Sequence, residues 1–142
     1  MDETRQRVLL AVNGTLMRGL ELTKNLIAVN ATFCYEAQTE RSYRLWSVED
    51  RHPAMLRVDA SDTRAAEIAL EVWSVPAEGI AAVLLSEPPG LCIGKVRLRN
   101  GQTVLGVLGE PALVQGMREI TKYGGWRSYL AAINKGKQEA IK

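Results

Sequence analysis

The run from Leu91 to Glu110 restricts the fold more than any other part of the chain. Leu91 to Arg99 alternates apolar and polar residues, Asn100-Gly101 follows, and Gln102 to Glu110 returns with a second β-prone run. Period-two alternation on both sides of an Asn-Gly dipeptide predicts an antiparallel β-hairpin. A hairpin cannot stand alone in water, so further strands or helices must cover its apolar face. Val8 to Val12, five consecutive apolar residues, predicts a strand buried on both faces. It feeds Asn13-Gly14-Thr15-Leu16-Met17-Arg18-Gly19, a polar loop between two glycines. Such a loop either lets backbone N–H groups approach an anion or simply connects a strand to a helix.

The rest of the chain reads as an α+β domain. Leu20 to Val29 predicts a short helix, with Thr23 placed to cap it. Ala31–Ala37 and Tyr43–Val48 read as neighbouring strands suited to a hairpin, Ala54–Val58 as a short strand, and Glu67–Val75 as the strongest strand of the middle region. On that strand Ile68, Leu70, Val72 and Ser74 share one face, which puts Glu67 and Glu71 on the side expected to meet solvent. Pro76 opens a helix over 77–85, which Ser86-Glu87-Pro88-Pro89-Gly90 ends. Pro111–Met117 predicts one or two helical turns, and Trp126–Ile133 a helix that presents Trp126, Tyr129, Leu130 and Ile133 inward. There is no repeat or linker, so residues 1–134 are expected to form one domain and the charged residues 135–142 to fray. Many strands and few short helices suggest a curved or barrel-like sheet.

Charge and composition exclude several functions. Of the 142 residues 46% are hydrophobic and 24% charged, proportions that supply a core. Eighteen basic against sixteen acidic residues leave a net charge of only +2, too little to argue for nucleic acid or a membrane surface. No apolar run is long enough to span a bilayer, and the opening Met1-Asp2-Glu3-Thr4-Arg5 is unlike a signal peptide, so a cytoplasmic location is expected. Cys34 and Cys92 sit in strand-like runs and read as buried free thiols. His52, the only histidine, precedes Pro53 in a polar turn and reads as a solvated loop residue, so neither a metal site nor a Ser-His-Asp or Cys-His centre can be assembled.

Two candidate features remain. Glu87 ends a helix inside a proline-fixed turn between apolar segments; it is either a solvated helix-end residue or a carboxyl whose desolvation tunes it for acid–base work. Gly124-Gly125-Trp126-Arg127 either packs a helix start through Trp126 or aims Tyr123 and Arg127 at a carboxylate.

With these residues in view, the chain resembles the C-terminal domain of allophanate hydrolase, within the wider γ-glutamylcyclotransferase-like fold. The resemblance runs through Leu10-Ala11-Val12-x-Gly14, Tyr43-Arg44-Leu45 and Glu71-Val72-Trp73-x-Val75-Pro76. Its most specific blocks are Gly90-Leu91-x-Ile93-Gly94-Lys95-Val96 and Ile120-Thr121-x-Tyr123-Gly124-Gly125-Trp126-Arg127-x-Tyr129-Leu130. It implies a small, mixed, mostly antiparallel β-barrel with flanking short helices and a cavity at the opening loop. There the backbone of Asn13, Gly14, Thr15 and Leu16 would hold a small carboxylate or carbamate, with Tyr123 and Arg127 as side-chain contacts. In the full-length enzymes of the family a separate amidase domain releases ammonia and the C-terminal domain processes the carboxylated product. The resemblance therefore points to a protein acting with an amidase subunit in amide or urea-type nitrogen breakdown, with a homodimer as another arrangement and no cofactor. The histidine that allophanate domains carry in the opening loop falls at Leu16. In the cyclotransferases a glutamate after the second helix is the general acid–base, and Glu87 lies in the matching region, followed by the Pro88-Pro89-Gly90 of the allophanate pattern. A cyclotransferase-like enzyme using Glu87 and a non-catalytic module docking on an amidase are the alternative readings.

Overall fold

A computed structural model describes residues 6–141; the acidic and polar opening at Met1–Arg5 lies outside them. In chain order the elements are β1 (Arg7–Val12), α1 (Thr23–Ala28), β2 (Thr32–Gln38), β3 (Tyr43–Val48), β4 (His52–Arg57), β5 (Ala69–Pro76), α2 (Ile80–Ser86), β6 (Leu91–Arg97), β7 (Thr103–Gly109), α3 (Pro111–Val114), β8 (Arg118–Glu119) and α4 (Trp126–Ile141). Single 3₁₀ turns at Ala77–Gly79 and Thr121–Tyr123 lead into α2 and α4. One sheet has the order β2-β5-β1-β7-β6 and the other β4-β3-β8. All pairings are antiparallel except β1 with β7, where Leu10 faces Leu105.

The five-stranded sheet curls until its two edges touch. Thr39, just past β2, bridges Leu98, just past β6, and the bridge is flanked by bonds from Glu40 N–H to Arg97 O (3.0 Å) and from Arg99 N–H to Gln38 O (2.9 Å). One bridge rather than a ladder joins these edges, so the barrel expected from the sequence is nearly but not continuously closed. The apolar run of β1 is explained by its central place between β5 and β7, where Leu10, Ala11 and Val12 are buried. Around it pack Leu26, Tyr43, Leu45, Ile68, Val72 and Trp126.

The hairpin of β6 and β7 forms where the alternation places it, from Leu91 opposite Gly109 to Arg97 opposite Thr103. Its turn is longer than two residues. Gly101 N–H bonds Leu98 O (2.9 Å), Leu98 N–H bonds Gln102 O (2.8 Å), and Gly101 alone takes positive φ, at 89°. This is a type I turn closed by a left-handed glycine.

Several local expectations change. Tyr43–Val48 does not pair with the preceding strand: β2 pairs with β5, and β3 turns through Glu49-Asp50 into β4. That turn, closed by Arg51 N–H on Val48 O (3.0 Å), holds Glu49 and Asp50 at φ 55° and 59°. No glycine or asparagine marks it, so composition hides it. Cys34 is exposed rather than buried, because the register of edge strand β2 shifts between Phe33 and Tyr35 and leaves Cys34 at the irregularity; Cys92 is half-buried. His52 begins β4 and is buried rather than solvated. The segment after Pro76 first makes a 3₁₀ turn, and α2 starts only at Ile80. Thr23 does not cap α1 from outside: it is the first helical residue, and its hydroxyl donates to Met17 O while accepting from Leu20 N–H (3.1 Å). α4 continues through the charged segment to Ile141. Among the described residues no helix is long and apolar enough to cross a membrane.

Candidate functional site

Where β1 ends, its buried strand delivers the loop 13–19 into the space beneath β4 and the end of α2. Asn13 is buried, and its side-chain amide donates to Val107 O (2.9 Å), hooking the loop to β7. Met17 N–H bonds Gly14 O (3.0 Å) and Leu22 N–H bonds Thr15 O (2.8 Å), so the loop folds back on itself into α1. Among the described residues the N–H groups of Gly14, Thr15 and Leu16 donate to no protein acceptor, although all three residues are buried. Buried amides are nearly always paired, and a short run of unpaired ones is a cradle for an anion.

Gly14 is required for a different reason from the one its sequence suggests. A Cβ there would lie 2.5 Å from Cδ of Pro53, so β4 and not a ligand occupies the space a side chain would need.

Glu87 faces the same pocket. It is the residue at which the chain leaves α2, with φ −76° and ψ 152°, and its N–H still bonds Leu84 O (3.1 Å). The following prolines prevent the helix from continuing and hold the turn. Its Oε1 is buried without a hydrogen-bond partner, and burial pushes the carboxyl up to about 7. The pocket is lined by Asn13, Gly14, Thr15, Leu16, His52 and Glu87, and its free volume is only about 10 Å³. That is room for about one water molecule or one ligand oxygen. Thr15 and His52 also line a groove of about 820 Å³, with Leu22, Pro88, Leu113 and Met117 among its apolar wall, so a larger ligand would place one group inside and its body outside.

Arg127 and Tyr123 are not brought to this pocket. Arg127 donates to Arg18 O (2.6 Å) and to Glu71 Oε2 (3.1 Å) at a separate cavity of about 440 Å³ that Met17, Glu36, Gln38 and Arg99 help to line. Tyr123 packs its ring on Tyr129, the centroids 5.2 Å apart. Glu71, expected to face solvent, is 2% exposed. Burial pushes its carboxyl up, but bonds from Arg18 N–H (2.9 Å), the Trp73 indole (3.1 Å) and the Arg18 and Arg127 guanidiniums outweigh this and hold it below the usual carboxylate range. This carboxylate clamps the loop through Arg18 and the start of α4 through Arg127.

The structure thus brings the loop and Glu87 to one pocket, and it buries His52 and Glu71, both of which the sequence had placed in solvent. The available signal for Glu71 is that Trp73 and Val75 share its face; a side holding those two is not a solvent side. For His52 no local signal exists, because its burial comes from long-range pairing.

The comparisons with known proteins agree with this architecture. The family described as allophanate hydrolase C-terminal domain matches residues 8–131. Urea amidolyase of Saccharomyces cerevisiae is 34% identical over 138 residues, 94% of this chain; the chain spans only 8% of that protein's length. Among solved structures, a uropathogenic E. coli-specific protein, c4763, superposes with a TM-score of 0.85 at 49% identity, covering 89% of this chain and 97% of that one. Kluyveromyces lactis allophanate hydrolase superposes with a TM-score of 0.84 at 32% identity, covering 94% of this chain and 22% of the enzyme. Matched along most of its length in sequence and in fold, the chain belongs to the allophanate hydrolase C-terminal domain family.

Proposed function

We propose that this protein binds a small carboxylate or carbamate at the loop 13–16 and acts with an amidase in the breakdown of urea-type or amide nitrogen compounds. The observation that carries the reading is that the buried residues Gly14, Thr15 and Leu16, whose N–H groups have no acceptor among the described residues, line one pocket with Glu87, whose Oε1 is buried and unpaired. The amides favour an anionic oxygen, and a protonated Glu87 donates a further hydrogen bond to it. The link to urea-type chemistry is supported by the relatives named urea amidolyase and allophanate hydrolase, of which this chain matches one segment.

A second reading, a cyclotransferase-like enzyme, is favoured by Glu87 itself. A carboxyl that titrates at about 7 is both a competent acid and a competent base near neutrality. The two readings separate in a thermal-shift screen against malonate, allophanate, carbamate analogues, 5-oxoproline and γ-glutamyl peptides. A ligand at about 100 times its dissociation constant stabilises the fold by roughly 2.7 kcal/mol. Stabilisation by small carboxylates or carbamates supports the first reading. Selectivity for γ-glutamyl compounds, with turnover abolished in Glu87→Gln, supports the second, and no response to any of them refutes both.

A further inference from the structure

The amides of the opening loop are oriented by bonds made elsewhere in it. A trans peptide points its C=O and the N–H of the next residue in opposite directions. Gly14 O accepts from Met17 N–H (3.0 Å), so the Thr15 N–H points away from Met17; Thr15 O accepts from Leu22 N–H (2.8 Å), so the Leu16 N–H points away from Leu22. The direction of these two unpaired groups therefore depends on where Met17 and Leu22 stand. Met17 leads into Arg18, whose main chain is held at both of its polar groups. The Arg18 N–H donates to Glu71 Oε1 (2.9 Å), and its C=O accepts from the Arg127 guanidinium (2.6 Å). The Arg18 guanidinium reaches the other Glu71 oxygen (3.2 Å), bonds Glu36 (2.9 Å) and lies 3.6 Å from the centre of the Phe33 ring. At the middle of this network the buried Glu71 carboxylate is itself fixed by the Trp73 indole (3.1 Å) and by Arg127 (3.1 Å).

We propose that Glu71 is the positioning residue of the anion site: it acts on the amides of residues 15 and 16 through Arg18, without touching the ligand. This rests on reading those amides as the ligand site. Glu71 does not line the inner pocket; it stands at the separate cavity beside Arg127. Asn13 fixes the entry to the loop on β7 through Val107 O, and Glu71 fixes its exit on β5. Amides held in one orientation beforehand spare a ligand the cost of ordering them, so a carboxylate binds more tightly. A carboxylate suits this task because both of its oxygens only accept. Oε1 takes the Arg18 N–H and the indole, and Oε2 takes the two guanidiniums. Glutamine would turn an NH₂ donor toward one of these pairs of donors and break half of the network.

The full chain labelled with ¹⁵N reads the loop and the ligand in the same samples by NMR, with malonate as the probe. Without malonate, the Thr15 and Leu16 amides of the wild type are expected to be as rigid as those of β1, with order parameters of about 0.85, and to fall below about 0.6 in Glu71→Gln. The malonate dissociation constant is expected to rise roughly tenfold or more in Glu71→Gln, and to rise also in Arg127→Met, which frees the Arg18 carbonyl but keeps Glu71. Arg44→Met breaks the ion pairs with Glu119 and Asp62 beside the three-stranded sheet, outside this network, and is expected to leave affinity within about twofold of the wild type while lowering stability. Malonate that binds the wild type and Glu71→Gln equally, loop amides that stay rigid in Glu71→Gln, or an equal loss in Arg44→Met would overturn the proposal. Should Glu71→Gln not fold, Arg127→Met decides by the same two readouts. Malonate that leaves the wild type unchanged removes the ligand reading; rigid amides in the variants then overturn the positioning as well, whereas loosened ones leave Glu71 as the residue that fixes the loop.

Discussion

Replacing Glu87 by glutamine should turn a pH-dependent liability into a constant. Burial moves this carboxyl from an ordinary value of 4.5 to about 7. Below pH 4.5 both the folded and unfolded chains carry it protonated, and it has no effect on the pH dependence of folding. Between pH 4.5 and 7 the unfolded chain ionises it while the folded chain keeps the proton, so stability falls as pH rises. Above pH 7 the full cost of a buried carboxylate remains. At about 1.4 kcal/mol per pH unit, reduced for the partial exposure of the side chain, the penalty reaches about 2–3 kcal/mol. Glutamine keeps the shape and cannot ionise. Urea denaturation of both proteins from pH 4 to 8 isolates the effect, since groups held low, such as Glu71, Asp50 and Glu119, change with pH in both and cancel in the difference. The variant should gain on the wild type across pH 5–7, a relative rise in Tm of roughly 5–10 °C for a domain of this size. Stability curves that run parallel over that range would refute the assignment of a desolvated, unpaired carboxyl at Glu87.

Glu71→Ala should cost about 3 kcal/mol at neutral pH by urea denaturation, because it leaves the buried Trp73 indole N–H without its acceptor while Arg18 and Arg127 turn to water. Gly14→Ala should destabilise by about 1–3 kcal/mol through the clash with Pro53, and ligand-free stability measurements are enough to see it. Glu49→Asn should stabilise by up to about 1 kcal/mol in the same assay, since asparagine tolerates the left-handed backbone that glutamate is forced into there.

The amino-acid sequence alone determines those features whose cause is local. The β6–β7 hairpin follows from alternation on both sides of Asn100-Gly101, and the end of α2 follows from two prolines. The continuous apolar run of β1 announces a strand with neighbours on both sides, without saying which neighbours. Tertiary structure decides what depends on those neighbours. Both faces of β5 carry apolar residues, Leu70 and Val72 on one and Trp73 and Val75 on the face of Glu71, so alternation alone does not choose the side that meets water. Glu71 is buried because Arg18 from the opening loop and Arg127 from α4 are brought over it from remote positions. Cys34 reads as a core thiol and is exposed because β2 is an edge strand with a register shift. His52 and Glu87, 35 residues apart, line one pocket only because β4 packs over the loop that β1 delivers. Periodicity tells a residue which side of its own strand it occupies. Only the packing of distant segments determines whether that side meets water, a guanidinium or another carboxyl, and the chemistry of this pocket depends on that packing.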